Sequence, residues 1–554
     1  MKSVEIYCEN NQSSKLYPLG TTLLEIAEDL EIELKFPICG ALVNNKAKEL
    51  TYSIVKAKNI RFFDYTHEDG RRIYVRSLIF VLYNAICEVF PQVGFKLEHG
   101  ISRGYYCELE DLGRNITDDD VFALVEEMKA IIKRDIPFVR QGLPTERVVD
   151  IFNQQGLYEK ARLYEEQGNI YSYVYFLDGR ANYFYGQLFP STGYLGLFSL
   201  ERYYHGLLLR IPNPEKINTL MEFDKQDKLF EIFQEHKDWA EIVGVSVIAS
   251  LNDFTYKKKA GEVIKISEAL HERKIVEIAN KIYDRRDKAK IVLIAGPSSS
   301  GKTTFSKRLA VQLAVSGLKP ELISLDNYFV DRERTPKDIH GQYDFEALEA
   351  IDIDFFNQNL IDLMNGEEIV LPRFDFKTGS RYFNGDKLKL KKNGVIIIEG
   401  IHALNPQLIP HINPENTFKI FISALTQISI DFHNHIPTTD NRLIRRIIRD
   451  NKYRNYSCLD TIRRWTSVRK GEEKNIFPFQ ENADIMFNSS QIYELGVLKK
   501  YVEPMLSSIP ENQPEYNEAV RLLSFLSYIR PIDDAEIPPT SLLREFLGGS
   551  RFAY

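Results

Sequence analysis

A short β-branched run, KIVLIA (Lys290–Ala295), breaks into Gly-Pro-Ser-Ser-Ser-Gly-Lys-Thr and then into TTFSKRLAVQLAVSG. No other stretch restricts the fold as tightly. An apolar run of this length reads as a buried parallel strand. After the loop, Phe305, Leu309, Val311, Leu313 and Val315 recur at helical spacing, and Gly317 supplies a stop. Strand, glycine-rich loop and helix in that order form the phosphate-binding unit of a parallel α/β sheet. The predicted ATP-binding loop comprises Gly296, Pro297, Ser298, Ser299, Ser300, Gly301, Lys302, Thr303 and Thr304. Its glycines let the backbone curl and aim N–H groups at phosphate oxygens, helped by the positive end of the helix dipole. Lys302 is expected to reach the β- and γ-phosphates, and the Thr303 hydroxyl to ligate Mg²⁺.

Such a loop does not by itself separate a kinase from a GTPase or a motor. The next strand candidate, ELISL (Glu321–Leu325), ends at Asp326, and another, GVIIIEG (Gly394–Gly400), carries Glu399 near its end. Carboxylates at the carboxyl ends of parallel strands point into the ligand crevice. Asp326 is placed either to take a proton from an attacking hydroxyl or to hold Mg²⁺ through water. Glu399 supplies a second carboxylate for the metal. Between Asn441 and Lys474 there are eleven Lys/Arg against four Asp/Glu, with Arg442, Arg446 and Arg449 at helical spacing. Taken alone, such a run reads as a solvated face. Beside a phosphate loop it reads as a lid that clamps polyphosphate.

The loop begins more than halfway along a chain of 554 residues, a length that implies two to four domains. The net charge of −7 excludes a wholesale nucleic-acid coat while allowing a local basic patch. Five scattered cysteines without a CxxC fit neither a disulfide framework nor a zinc site, and point to a reducing, cytoplasmic setting. The start, MKSVEIYCENNQ, lacks a signal-peptide core, and no run approaches the ~18 apolar residues of a membrane span.

An ordered set of segments resembles the uridine kinase and phosphoribulokinase family of P-loop kinases over residues 288–510. The set is GPSSSGKTT, SLDNYF, YDFEALEAIDI (Tyr343–Ile353), LPRFDFKTGSR (Leu371–Arg381), IIIEGI, RLIRRIIRD (Arg442–Asp450) and ENADIMFNSS. The resemblance implies that Asp326 is the catalytic base for a nucleoside 5′-hydroxyl and acts with Lys302. It implies that Asp344 and Arg446 bind the ribose hydroxyls, that Phe374 borders the base, and that Arg449 meets ATP phosphates. Mg²⁺ is the implied cofactor. Two departures concern the base. Gly379 stands where the family's pyrimidine-reading His falls, and Phe374 replaces a Tyr. A site without those hydrogen-bonding groups need not reject other bases.

In the first half, LYPLGTTLLEIAEDL and GALVNNKAKELTYSI resemble a TGS domain, the β-grasp module of threonyl-tRNA synthetases. The stretch from Phe95 to Phe152 resembles the second additional domain of the same enzymes, with Thr117 capping an amphipathic helix. At the positions of that domain's HxxxH pair and later Cys and His stand Arg76, Phe80, Phe184 and Leu188. None of these serves as the expected metal ligand, so editing chemistry is not expected. His433 and His435 read as part of a solvated loop.

The expected architecture is multidomain α/β and α+β. A TGS-like β-grasp domain (1–65) and an α+β synthetase-like domain (66–240) lead through a helical linker (241–287) to a P-loop kinase domain (288–510), a parallel sheet flanked by helices, and then a tail (511–554). The expected reaction is transfer of the γ-phosphate of Mg·ATP to a ribonucleoside, with the base left open. A sugar-phosphate kinase and an ATP-switched RNA-binding regulator are the alternatives. The first half is expected either to bind RNA or a small ligand, or to act as a scaffold for stability or homo-oligomerisation.

Overall fold

The computed structural model describes residues 2–337, 341, 343–375 and 377–553. The first module is a five-stranded mixed sheet in the order Ser13–Pro18, Ser3–Cys8, Lys58–Asp64, Ile38–Val43, Ala47–Lys48. Its two central strands run parallel, and the helix Leu23–Asp29 lies across it, a β-grasp arrangement. Thr22 starts that helix with a capping box, donating its backbone N–H to Glu25 while accepting the Glu25 N–H on its hydroxyl.

The long helix Glu68–Val89 is the axis of the second region, with Ile73, Leu78, Phe80, Leu82 and Ile86 all buried. An antiparallel sheet of four strands, Ser199–Tyr203, Gly206–Arg210, Gly104–Glu110 and Gly94–Ile101, shares its core. A three-stranded sheet of Arg180–Asn182, Tyr171–Leu177 and Val139–Pro144 completes the region. Thr117 caps the helix Asp118–Lys133 through Asp120, whose carboxylate is forked by Arg114.

The kinase-like sheet is entirely parallel, in the order Lys319–Ser324, Gly394–Glu399, Ile291–Ala295, Thr417–Ser423, Ile485–Asn488. The strand leading into the phosphate loop is central, so both of its neighbours deliver side chains beside the loop. The helix Lys302–Val315 buries Phe305, Leu309 and Leu313 against Ile275, Ile278 and Ile282 of the helix Ala260–Asp284. Val311 and Val315, expected on the apolar face, are 50% and 78% exposed. They sit two residues from Leu309 and Leu313, about 200° around a helix, and so point outward.

Three stretches of sequence behave differently from their composition. Residues 241–287 supply Val247, Leu251 and Ile264 to one continuous core, which also takes Leu443 and Ile447 of the helix Thr438–Tyr453. The proline-rich end, read as a tail, supplies Leu522, Ile532 and Phe546 to that same core. The HxH loop is not solvated. His433 is buried, sharing hydrogen bonds with Asn182 and ring contacts with Tyr83 and Phe95. Phe432 O accepts the Leu97 N–H at 2.7 Å, and Asp431 pairs with the buried Lys160. The loop is therefore the seam between the two halves. Among the described residues, no helix is long and apolar enough to cross a membrane.

Candidate phosphate-transfer site

The phosphate loop is shaped by two left-handed residues, Ser299 (φ 61°) and Gly301 (φ 82°). For serine this conformation carries strain, stored where function is expected. Gly296 is required by a close approach, since a Cβ there would lie 2.0 Å from Ile422 O on the adjacent strand. Gly301 caps the helix Lys302–Val315, leaving the first helical amides directed at the crevice. Lys302 folds back so that Nζ donates to Gly296 O at 2.9 Å and Pro297 O at 3.1 Å. Burial pulls its pKa down, opposed by the charges of Glu399 and Asp326.

Both acids stand at the carboxyl ends of strands. Glu399 pairs in register with Ser324 on one side and Ile294 on the other. Ser324 Oγ donates to its carboxylate at 2.7 Å. Burial, and then repulsion from Asp326, pushes the Glu399 carboxyl up to about 7. Asp326 lies in the turn Leu325–Tyr328 directly after its strand. Asp326 and Glu399 lie close enough to repel each other, and carboxylate oxygens are the donor type that suits a hard cation such as Mg²⁺. A cation there would relieve the repulsion that raises Glu399.

The arginines divide by role. Arg442, fully buried, ion-pairs with the buried Glu472, donates Nε–H to Ser298 O at 3.0 Å and lies over the Trp465 ring. It fastens the helix Thr438–Tyr453 to the loop rather than facing solvent as a clamp. Arg446 donates to Ser298 Oγ at 2.8 Å, and Arg449 donates to Asp450 at 2.7 Å. Arg446, Arg449 and Arg454 together outweigh burial and hold the Asp450 carboxyl down. Arg463 and Arg464 turn outward, to Glu515 and the Tyr456 ring.

The residues expected at the acceptor side are less tightly assembled. Asp344 accepts the Glu346 N–H at 3.1 Å, and no described contact joins it to Arg446. Arg446 instead pairs with Asp450 at 3.3 Å and lies in electrostatic reach of Glu346 and Glu472. Burial pushes the Glu346 carboxyl up to about 7, with Glu472 and Asp326 adding to the rise and Arg446 and Lys302 opposing it. Phe374, on the hairpin Arg373–Asp375 and Ser380–Tyr382, is half-buried with its ring 5.6 Å from that of Phe329. Gly379 has φ 75°, and a Cβ there would lie 2.7 Å from Arg332 Nε. The Arg332 side chain thus lies where a side chain at position 379 would project.

Two acids that sequence reasoning missed occupy the loop itself. Glu472 accepts the Ser298 N–H at 3.0 Å. Glu545, from the C-terminal segment, accepts the Thr304 N–H at 3.1 Å and its hydroxyl at 2.7 Å. Leu542 would lie 3.2 Å from a Cβ on Gly301. These donors are of the kind that such a loop offers to phosphate oxygens. The only trace in the sequence is one acid inside the apolar LLREFL.

Residues 291–495 match the family described as Phosphoribulokinase / Uridine kinase. A uridine kinase of Ureaplasma urealyticum is 27% identical over 216 residues, covering 38% of this chain and 95% of that protein. A uridine kinase of Staphylococcus aureus strain JH9 is 29% identical over 197 residues, 35% of this chain and 86% of that one. The N-terminal region matches threonine–tRNA ligases. That of Syntrophomonas wolfei is 30% identical over 154 residues, 28% of this chain. The chain spans only 24% of that ligase's length.

Proposed function

Proceeding from a phosphoribulokinase/uridine kinase family domain over residues 291–495, we propose that the protein transfers the γ-phosphate of ATP to the 5′-hydroxyl of a ribonucleoside. The observation that carries this reading is the convergence of Lys302, Asp326 and Glu399 beside the loop, each within electrostatic reach of the others. A pure nucleotide sensor needs the loop but not an acid poised as a base. Asp326 takes the hydroxyl proton as the oxygen attacks the γ-phosphorus, and the bond to the β-bridging oxygen breaks to leave ADP. Lys302 turns from the Gly296 and Pro297 carbonyls to the transferred group, with Arg449 neutralising charge from the helix Thr438–Tyr453. Mg²⁺ held by Thr303 and Glu399 would supply further neutralisation of the phosphates. Phe374 lies along the base and Asp344 with Arg446 reads the ribose, the pair closing on the acceptor.

Arg332 over Gly379 favours a second reading of the acceptor. A cation beside that position suits a substrate carrying its own negative charge, such as a pentose phosphate. A coupled ADP-release screen of the common ribonucleosides and pentose phosphates separates the two. Turnover confined to nucleosides supports the first reading and turnover confined to pentose phosphates the second. Absence of turnover with every acceptor sinks phosphate transfer and favours an ATP-switched regulator.

A further inference from the structure

Away from the phosphate loop, a cavity of about 280 Å³ opens where the first module, the synthetase-like region and the helix Tyr516–Leu526 meet. Its cations are paired in an unusual way. Arg76 lies over the Tyr185 ring at 5.1 Å, Lys48 over Tyr52 at 4.8 Å, and Arg140 over Tyr173 at 4.1 Å. None of the three, nor the neighbouring Lys46, makes a side-chain hydrogen bond or an ion pair among the described residues. Stacking on an aromatic face orients a cation without neutralising it and leaves its N–H groups to donate elsewhere.

The acids in the same wall are already committed. Glu49 accepts the Tyr175 hydroxyl at 2.6 Å, and Asp69 accepts from Arg72 at 2.9 Å and Asn517 at 2.6 Å. Arg521, also in the wall, is matched by Asp440 and Glu518. The surplus is therefore positive. Burial lowers the pKa of Lys48, and the charges of Lys46 and Arg140 lower it further. Arg76 emerges from a helix whose neighbouring Val75, Ile79 and Phe80 are buried, where an unanswered guanidinium is costly. Its head rests on Gly186, where a Cβ would meet it at 2.1 Å.

We infer that this cavity is a binding site for a phosphate monoester of sugar-phosphate to mononucleotide size, gripped by Arg76, Lys46, Lys48 and Arg140. A dianionic phosphate uses several donors at once and needs no acceptor in return, which is what these walls offer. The volume suits a small molecule rather than a length of folded polyanion. Arg140 and Tyr173 are exposed and form the mouth, while Arg76 forms the floor.

The test is calorimetric titration of the full chain with inorganic phosphate, ribose 5-phosphate and UMP. All three are repeated on Lys302→Ala, which weakens phosphate binding at the kinase site. Saturable binding that persists in Lys302→Ala and weakens by about tenfold or more in Arg76→Gln, the scale of one charge-assisted hydrogen bond, supports the inference. Arg140→Gln, at an exposed position, should weaken binding in the same direction without risk to folding. A preference for ribose 5-phosphate over UMP identifies a sugar phosphate as the source, and the reverse a nucleotide. Binding that vanishes with Lys302→Ala, or is unchanged in both arginine variants, overturns the inference. So does binding of a short RNA with no monoester binding up to about 10 mM, a limit corresponding to negligible affinity. None of these outcomes depends on whether the kinase site turns over.

Discussion

The phosphate loop and the cation-lined cavity present similar donors in opposite states. At the loop, the Ser298 and Thr304 amides are answered by Glu472 and Glu545 from within the chain. In the cavity, Arg76, Lys48 and Arg140 lie over tyrosine rings and make no side-chain hydrogen bond or ion pair among the described residues. A buried donor must be paired or pay a desolvation cost, so internal carboxylates satisfy the loop at the expense of any incoming phosphate. The cavity has no such internal substitute. A phosphate at the loop must displace a carboxylate; one in the cavity meets cations whose described contacts are aromatic faces.

The largest effect tests whether the loop serves chemistry at all. Asp326→Asn should lower kcat by about 10²–10⁴-fold with little change in ATP affinity, the usual worth of a general base. Steady-state kinetics on whichever acceptor is accepted reads this directly, and near-normal turnover would remove Asp326 from the proton transfer. The next effect is on stability. Arg442→Ala strands the buried Glu472 carboxylate, and loss of one partner of a buried pair costs about 3–5 kcal/mol. Chemical denaturation should show it as a lower midpoint. A loss below about 1 kcal/mol would place the pair with ordinary surface ion pairs and free Arg442 to act as a clamp.

How much of this was legible in the sequence follows from how local each signal is. The strand, loop and helix around Lys302 are written in one contiguous stretch, and Asp326 and Glu399 follow from strand ends that the sheet places together. The Thr22 and Thr117 caps are equally local. Glu472 and Glu545 were not legible, because their partners lie 174 and 241 residues away and no spacing rule connects them. The HxH loop departs from its composition for the same reason: polar residues suggest solvent, but Asn182 and Lys160, remote in sequence, satisfy its polar groups inside the seam. The last segment reads as an extended or short-helix tail because of its prolines; its helices are short, but Ile532, Leu542 and Phe546 complete cores begun by other elements.

A smaller effect comes from pH. The Glu399 and Glu346 carboxyls both rise from 4.5 to about 7, with burial the leading cause. A folded state that holds protons more tightly than the unfolded one gains stability below the unfolded value and loses it as pH rises through the folded value. Stability should therefore fall between pH 4.5 and about 7, by about 1–3 kcal/mol per acid. Glu399→Gln should flatten that fall in a series of thermal melts. An unchanged slope would mean that neither the burial nor the repulsion at Glu399 is as strong as the geometry requires.

The smallest effect bears most directly on the contrast between the two regions. If Glu545 competes with phosphate for Thr304, removing its charge should tighten nucleotide binding. Glu545→Gln keeps the side-chain volume within the packed segment around Leu542 and Phe546, so the core is spared. The variant's apparent Kd for ATP should fall by about tenfold, the equivalent of one charge-assisted hydrogen bond no longer displaced. The KM for the acceptor should stay as it was, because Glu545 touches the loop helix and not Asp344 or Phe374. The same substitution should leave monoester binding in the cavity unaltered, since no wall of that cavity includes the C-terminal segment beyond Ser524. A tighter ATP site with an unchanged cavity keeps the two regions distinct. An equal response in both would mean that the helix Tyr516–Leu526 transmits the change, through Arg521 and Asp440, to the helix that carries Arg446 and Arg449.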